Sequence, residues 1–137
     1  MGKLLERLQD PARSGVYRTA GREEVEDALR AGAVSLVPID LHQPVFDAFS
    51  RALGFPDWFG RNWDALEDCL CDLSWRQAAG YVLLIDGHEA LAQDERGILL
   101  DVLAAAAEYW TGEGKPFFAV FIDPAAVLDL PPLFREA

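Results

Sequence analysis

Residues 56–73 read PDWFGRNWDALEDCLCDL, and this stretch decides the fold. Its second half has the pattern of one helix. Asn62 stands at the N-cap, where a side-chain oxygen takes one of the helix's unpaired N–H groups. Asp64 follows in the first turn, at the positive end of the helix dipole. Trp63, Leu66, Leu70 and Leu73 recur at three- and four-residue spacing and make one apolar stripe. Asp64, Asp68 and Asp72 fall at i, i+4 and i+8 on another side, with Glu67 beside them. The helix thus has an apolar back and an acidic front. Asp57-Trp58-Phe59-Gly60 precedes it, and both aromatics are expected at the edge of that front.

Like charges at i, i+4 cost a helix about 0.2–0.5 kcal/mol per pair. A chain shaped by stability alone would place Lys or Arg among them. Spacing leaves two readings open: a solvated face on an acidic protein, or a negative surface for a positive partner.

The run Phe55 to Leu70, FPDWFGRNWDALEDCL, resembles the signature of the barstar family of ribonuclease inhibitors. That signature is Pro, an acid, two aromatics, Gly, any residue, Asn, an apolar residue, Asp-Ala-Leu, a variable residue, then Asp-Cys-Leu. The resemblance extends more loosely from about Ala33 to Asp123 through the order of elements. It leaves out residues 1–32 and the C-terminal tail, residues 124–137.

Outward from this stretch, 137 residues suit one domain with a real core, and 51% of them are hydrophobic. The formal charge is −11, from 12 Lys and Arg against 23 Asp and Glu. Such a balance opposes nucleic-acid binding, which needs cations against phosphates, and disfavours anionic membranes. It favours basic protein partners and fast, salt-sensitive association. Lys3, Glu6 and Arg7 interrupt any secretory apolar region, and no apolar run approaches a membrane span. Cys69 and Cys71 are two apart on a helix, so their side chains diverge and cannot bridge each other. Reduced thiols and a cytoplasmic location are expected. Two thiols and two distant histidines form no metal-ligand pattern, and no metal or other cofactor is expected.

In chain order, Lys3–Gln9 is a short helix with Leu4, Leu5 and Leu8 inward, stopped at Asp10-Pro11. Val16–Thr19 is a brief strand-like piece. Arg22–Ala31 reads as a helix with Val25, Ala28 and Leu29 on one face and Gly32 as its stop. Together residues 1–32 form a helical extension expected to pack on the core, because their apolar residues need cover. Val34–Leu41 is a buried strand in which Pro38 implies an edge position or the strand's end. Val45–Leu53 is a helix with Phe46, Phe49 and Leu53 inward, ended by Gly54 and Pro56. After the organising helix, Ser74 is expected to cap a single turn through Ala79. Tyr81–Asp86 is a continuous apolar run, as in a parallel strand covered on both faces. Asp94 or Glu95 opens a long helix to Trp110, with Ile98, Leu99, Val102, Leu103, Ala106 and Trp110 as core candidates. Phe117–Asp123 is a third strand, Ala125–Leu128 a further helical turn, and Pro131-Pro132 keep the tail extended. Strand, two helices, strand, helix, strand implies an α/β fold with a small parallel sheet and right-handed crossovers. The resemblance implies the same, a three-stranded parallel sheet packed with helices over residues 33–123.

An enzyme reading finds little. Asp64 and Asp68 are not obviously in a cleft, and no Gly-rich phosphate loop or nucleophile elbow is present. His42 and His88 each follow a predicted strand but read as solvent-exposed loop histidines. Cys69 sits beside the apolar stripe and packs. No catalytic residue is assigned.

The resemblance, by contrast, implies a mechanism. A ribonuclease active site is cationic, and aimed carboxylates can occupy it and exclude RNA. Asp64 and Asp68 match the family's two helix aspartates at the ribonuclease interface, and Trp58 matches an aromatic in the preceding loop. Gly60 and Asn62 match the loop and cap that set their aim. Phe59, Glu67, Asp72 and Glu95 complete the expected partner-binding set. Two positions depart from the pattern: Glu67 stands where the best-known member has an aromatic, and a further acidic contact near the start of the long helix falls to Asp94 or Glu95. The expectation is a monomer that inhibits a ribonuclease, for intracellular protection or as an antitoxin or immunity protein. The alternative keeps the fold and binds another basic protein.

Overall fold

The computed structural model describes residues 2–30 and 32–134. Met1, the expected helix end at Ala31, and residues 135–137 of the tail lie outside the described residues. The element order is α1 (Lys3–Leu8), β1 (Gly15–Thr19), α2 (Glu23–Ala28), β2 (Val34–Asp40), α3 (Val45–Leu53), α4 (Trp63–Leu70), β3 (Gly80–Asp86), α5 (Gln93–Gly112) and β4 (Phe117–Ile122), with two short 3₁₀ turns at Pro11–Arg13 and His88–Ala90.

The class is α/β, as expected. Among the described residues the sheet has four strands, ordered β1-β4-β3-β2, and every pairing is parallel. The expected count of three is corrected: the strand-like piece near Val16 pairs in full with β4, Gly15 opposite Phe118 through Thr19 opposite Ile122. β1 is half-buried along its whole length, so no alternation of apolar and polar residues marks it in the sequence. β2 is the other edge strand, and its Pro38 is exposed there, where a missing N–H costs no ladder bond.

β3 and β4 lie in the middle and are apolar on both faces. Successive side chains of a strand point to opposite faces, so each strand feeds two cores. Tyr81, Leu83, Ile85, Phe117, Ala119 and Phe121 meet α3, α4 and α5 on one face. Val82, Leu84, Phe118 and Val120 meet Leu4 and Leu8 of α1, Val25 of α2, Leu29 and Leu133 on the other. The N-terminal segment therefore supplies one strand and covers the second face.

Several local expectations shift. α4 ends at Leu70, and Leu73 is reached through a turn in which its φ is 51°, yet its side chain is still fully buried. Residues 74–79 form a turn and loop rather than a helical turn. Ala125–Leu128 is a turn with Ala126 at φ 55°, because Asp123 accepts from the N–H groups of Val127 at 3.1 Å and Leu128 at 2.8 Å. α5 starts at Gln93, behind Ala92, and runs to Gly112. Its Ile98 is 41% exposed, so that one core candidate points to solvent. No helix among the described residues is long and apolar enough to cross a membrane.

Candidate functional site: an acidic helix and its aromatic loop

α4 begins where the sequence places it. Asn62 is extended, with φ −143°, and its Oδ1 accepts the N–H of Ala65 at 2.8 Å. Leu66, Cys69 and Leu70 are buried against the core, and Trp63 packs against Phe46 with ring centres 4.9 Å apart. The opposite face carries Asp64, Glu67, Asp68 and, just past the helix end, Asp72; Glu67, Asp68 and Asp72 are exposed, as is Asp64 at the first turn. Among the described residues none of these four forms an ion pair, whereas Arg22, Arg30 and Arg61 each pair with a carboxylate elsewhere.

The two loop aromatics separate. Trp58 is 64% exposed and stands edge-on to Trp75, whose indole N–H donates to the carbonyl of Leu53 at 3.0 Å. Phe59 is 8% exposed and packs edge-on against Phe55 at 4.8 Å and Phe46 at 6.2 Å. The expectation that both rings stand at the edge of the acidic front is thus corrected for Phe59, which anchors the loop from beneath. Such a loop has no periodicity from which to read its inward side.

A second anchor comes from Arg61. It has φ 55°, a left-handed conformation uncommon for a residue with a side chain, and its guanidinium pairs with Asp47 in the first turn of α3. Gly60 is exposed and leans on the cap: a Cβ there would meet Asn62 Nδ2 at 3.4 Å and Ala65 Cβ at 3.5 Å. Arg61, Asp47 and Trp75 are absent from the set expected on sequence grounds; the extra aromatic so soon after the helix is the signal that points to Trp75. Glu95, exposed in the first turn of α5, shares with Arg61, Phe46 and Leu91 a cleft of about 500 Å³.

Both cysteines are free. Burial raises the Cys69 thiol, and Asp72 and Asp68 add to the shift. Burial and then the charges of Glu67 and Asp68 push Cys71 up to about 11. Burial and the acidic front together therefore keep both thiols protonated and poorly nucleophilic at neutral pH.

The histidines sit at the carboxyl edge of the sheet. His42 is exposed, as expected. His88 is not: it is 6% exposed, with Nε2 3.5 Å from Asp123 Oδ1. Its position between β3 and β4 is set by chain crossings that the sequence around it does not announce. Among the described residues no three His, Cys, Asp or Glu side chains gather as a metal site.

The domain is thus an open parallel α/β unit that carries a capped acidic helix, an anchored loop and one exposed tryptophan. The family model of Barstar (barnase inhibitor) matches residues 34–122, well over half of the chain, and the protein belongs to that family. No curated protein matches the chain.

Proposed function

We propose that this protein inhibits a ribonuclease by seating the acidic front of α4 and the tip of the preceding loop in the enzyme's cationic active site. The observation that carries this reading is the set of four carboxylates without ion-pair partners on a helix whose back is locked in the core. Their mutual repulsion is a cost in the free protein. Opposite a row of Lys and Arg the same charges become an asset, because the helix holds them in place before the encounter. Membership of the family supports the nuclease as the source of those cations.

In this reading Asp64, Glu67, Asp68 and Asp72 meet the cations, and Trp58 supplies apolar area beside them. Asn62 and Gly60 set the aim of the helix, Phe59 holds the loop from beneath, and Glu95 adds a carboxylate from α5. The protein acts by occupancy, so it forms no covalent intermediate and turns over no substrate.

Titration into a panel of basic ribonucleases, with RNA cleavage as readout, tests the proposal. Stoichiometric loss of cleavage for one of them supports it. Unchanged cleavage across the panel would favour the other reading, a module of the same fold for a different basic protein. Stopped-flow association should slow steeply between low and physiological salt while dissociation changes less.

A further inference from the structure

β2 and β3 end together, with Asp40 opposite Asp86 in the ladder. Just beyond, the His42 ring is held from both sides. Its Nδ1 is 2.7 Å from Asp40 Oδ1, and its Nε2 is 2.9 Å from Glu89 Oε2 in the turn after β3. Ionised carboxylates only accept hydrogen bonds, and a neutral imidazole has one N–H and one bare nitrogen. A neutral ring can therefore satisfy one of these two carboxylates and must turn a lone pair toward the other. Both contacts are met at once only when the ring carries both protons, as an imidazolium.

The seat of the ring is built. Gly87 lies beneath it at φ 87°, and a Cβ there would come within 2.9 Å of His42 Nδ1 and 3.0 Å of Cε1. Glycine is needed at 87 both for that backbone angle and for the space. On the Asp40 side the backbone N–H of His42 also donates to Oδ1, at 2.9 Å. The Asp40 contact is thus local and doubly supported, whereas the Glu89 contact spans two connections.

The charged neighbours come from several elements. Asp86 and Arg22, paired at 3.1 Å, line a cavity of about 310 Å³ with Asp40 and His42. Arg61 and Glu95 line the larger cleft on the other side, and Arg61 is engaged by Asp47. His88 adjoins Glu89 in the chain. Two carboxylates, Asp40 and Glu89, thus touch the ring, Asp86 and Glu95 line the cavities beside it, and the two nearby guanidiniums are already paired. The bonds to Asp40 and Glu89, in that order, raise the imidazole above its ordinary 6.5, and the opposing effect of desolvation is smaller.

We propose that His42 is a protonation-dependent clamp: as an imidazolium it ties the β2–α3 connection to the turn after β3, and on losing its Nε2 proton it releases Glu89. The two connections are the walls of the cleft beside the α4 loop, with residues 41–46 on one side and Ala90, Leu91 and Glu95 on the other. Protonation of one ring thereby controls how freely those walls separate. The clamp needs no partner and stands apart from the ribonuclease reading.

Nitrogen-detected NMR of the His42 ring and amide exchange at Ala90 and Leu91, followed across pH, test it. The N–H groups of these two residues close the turn onto the carbonyls of Gly87 and His88. In the parent, both ring nitrogens should carry protons at low pH, and protection of Ala90 and Leu91 should fall as His42 deprotonates. Glu89→Gln, a change at an exposed side chain, should lower the His42 pKa and abolish the pH dependence of that protection. A His42 pKa that Glu89→Gln leaves unmoved, or protection that stays flat through the parent's titration, would overturn the clamp.

Discussion

The indole N–H of Trp110, in the last turns of α5, donates to the carbonyl of Leu70 at 2.8 Å. That carbonyl ends α4 and is one of the four that a helix cannot satisfy by itself. The long helix thus closes the end of the acidic one, and the two also share Leu66, Leu70, Leu103 and Ala106 in one core.

Trp110→Phe removes the donor and leaves a buried acceptor without a partner. The expected loss is about 1–3 kcal/mol from the unmet carbonyl, with a further cost for the smaller ring. Urea denaturation checks it. A midpoint equal to the parent's would mean that water reaches the end of α4 and replaces the indole.

Asp68→Ala separates the two faces of α4. Asp68 lies past the first turn, where the helix dipole helps it little, and Asp64, Glu67 and Asp72 repel it. Alanine is also the better helix former. The variant should melt at or above the parent temperature. If the proposed function holds, its affinity for the nuclease should fall by roughly 2–5 kcal/mol or more, mostly through faster dissociation, a magnitude drawn in part from complexes of this family. A lower melting temperature with intact affinity would make Asp68 a structural residue.

Removal of residues 2–32 tests whether the N-terminal segment is part of the folding unit. It strips α1, α2 and β1, bares Val82, Leu84, Phe118 and Val120, and turns β4 into an edge strand. The shortened chain should aggregate or bind a hydrophobic dye. Leu8→Ala, the milder variant, should cost about 2–5 kcal/mol. Cooperative unfolding of the shortened chain at the parent's urea midpoint would show that the extension is dispensable.

Asp123→Asn addresses acid stability. Burial raises the Asp123 carboxyl, but the N–H groups of Leu128 and Val127 and the charges of His88 and Arg18 outweigh it, leaving the group below 3.8. A lowered carboxylate contributes stability that is present above its unfolded value and lost as pH falls through the folded one. The asparagine keeps one acceptor and turns an amide toward the second N–H, so the variant should be weaker at neutral pH. It should also lose less stability than the parent as pH falls below the ordinary carboxylate value of 3.8. Urea midpoints measured through that fall decide it, and parallel curves would mean that Asp123 does not set the acid limb.

Much of this was legible in residues 56–73. Asn62 at a cap, apolar residues at helical spacing and carboxylates between them suffice to orient α4, since each signal depends on neighbours within one turn. The runs YVLLID and FFAVFID declared β3 and β4 in the same way, because strands covered on both faces must be apolar at every position. The tertiary structure alone decided that Gly15–Thr19 joins the sheet, since a half-buried edge strand has no alternation to read. It alone turned Phe59 inward and Ile98 outward, for a loop has no period and a long helix carries more apolar residues than its neighbours can cover. It also brought His42 to Glu89 and Trp110 to Leu70, pairs 47 and 40 residues apart. Short spacings orient each element by itself, whereas such meetings follow from the order in which parallel strands close a common core, which no local pattern encodes.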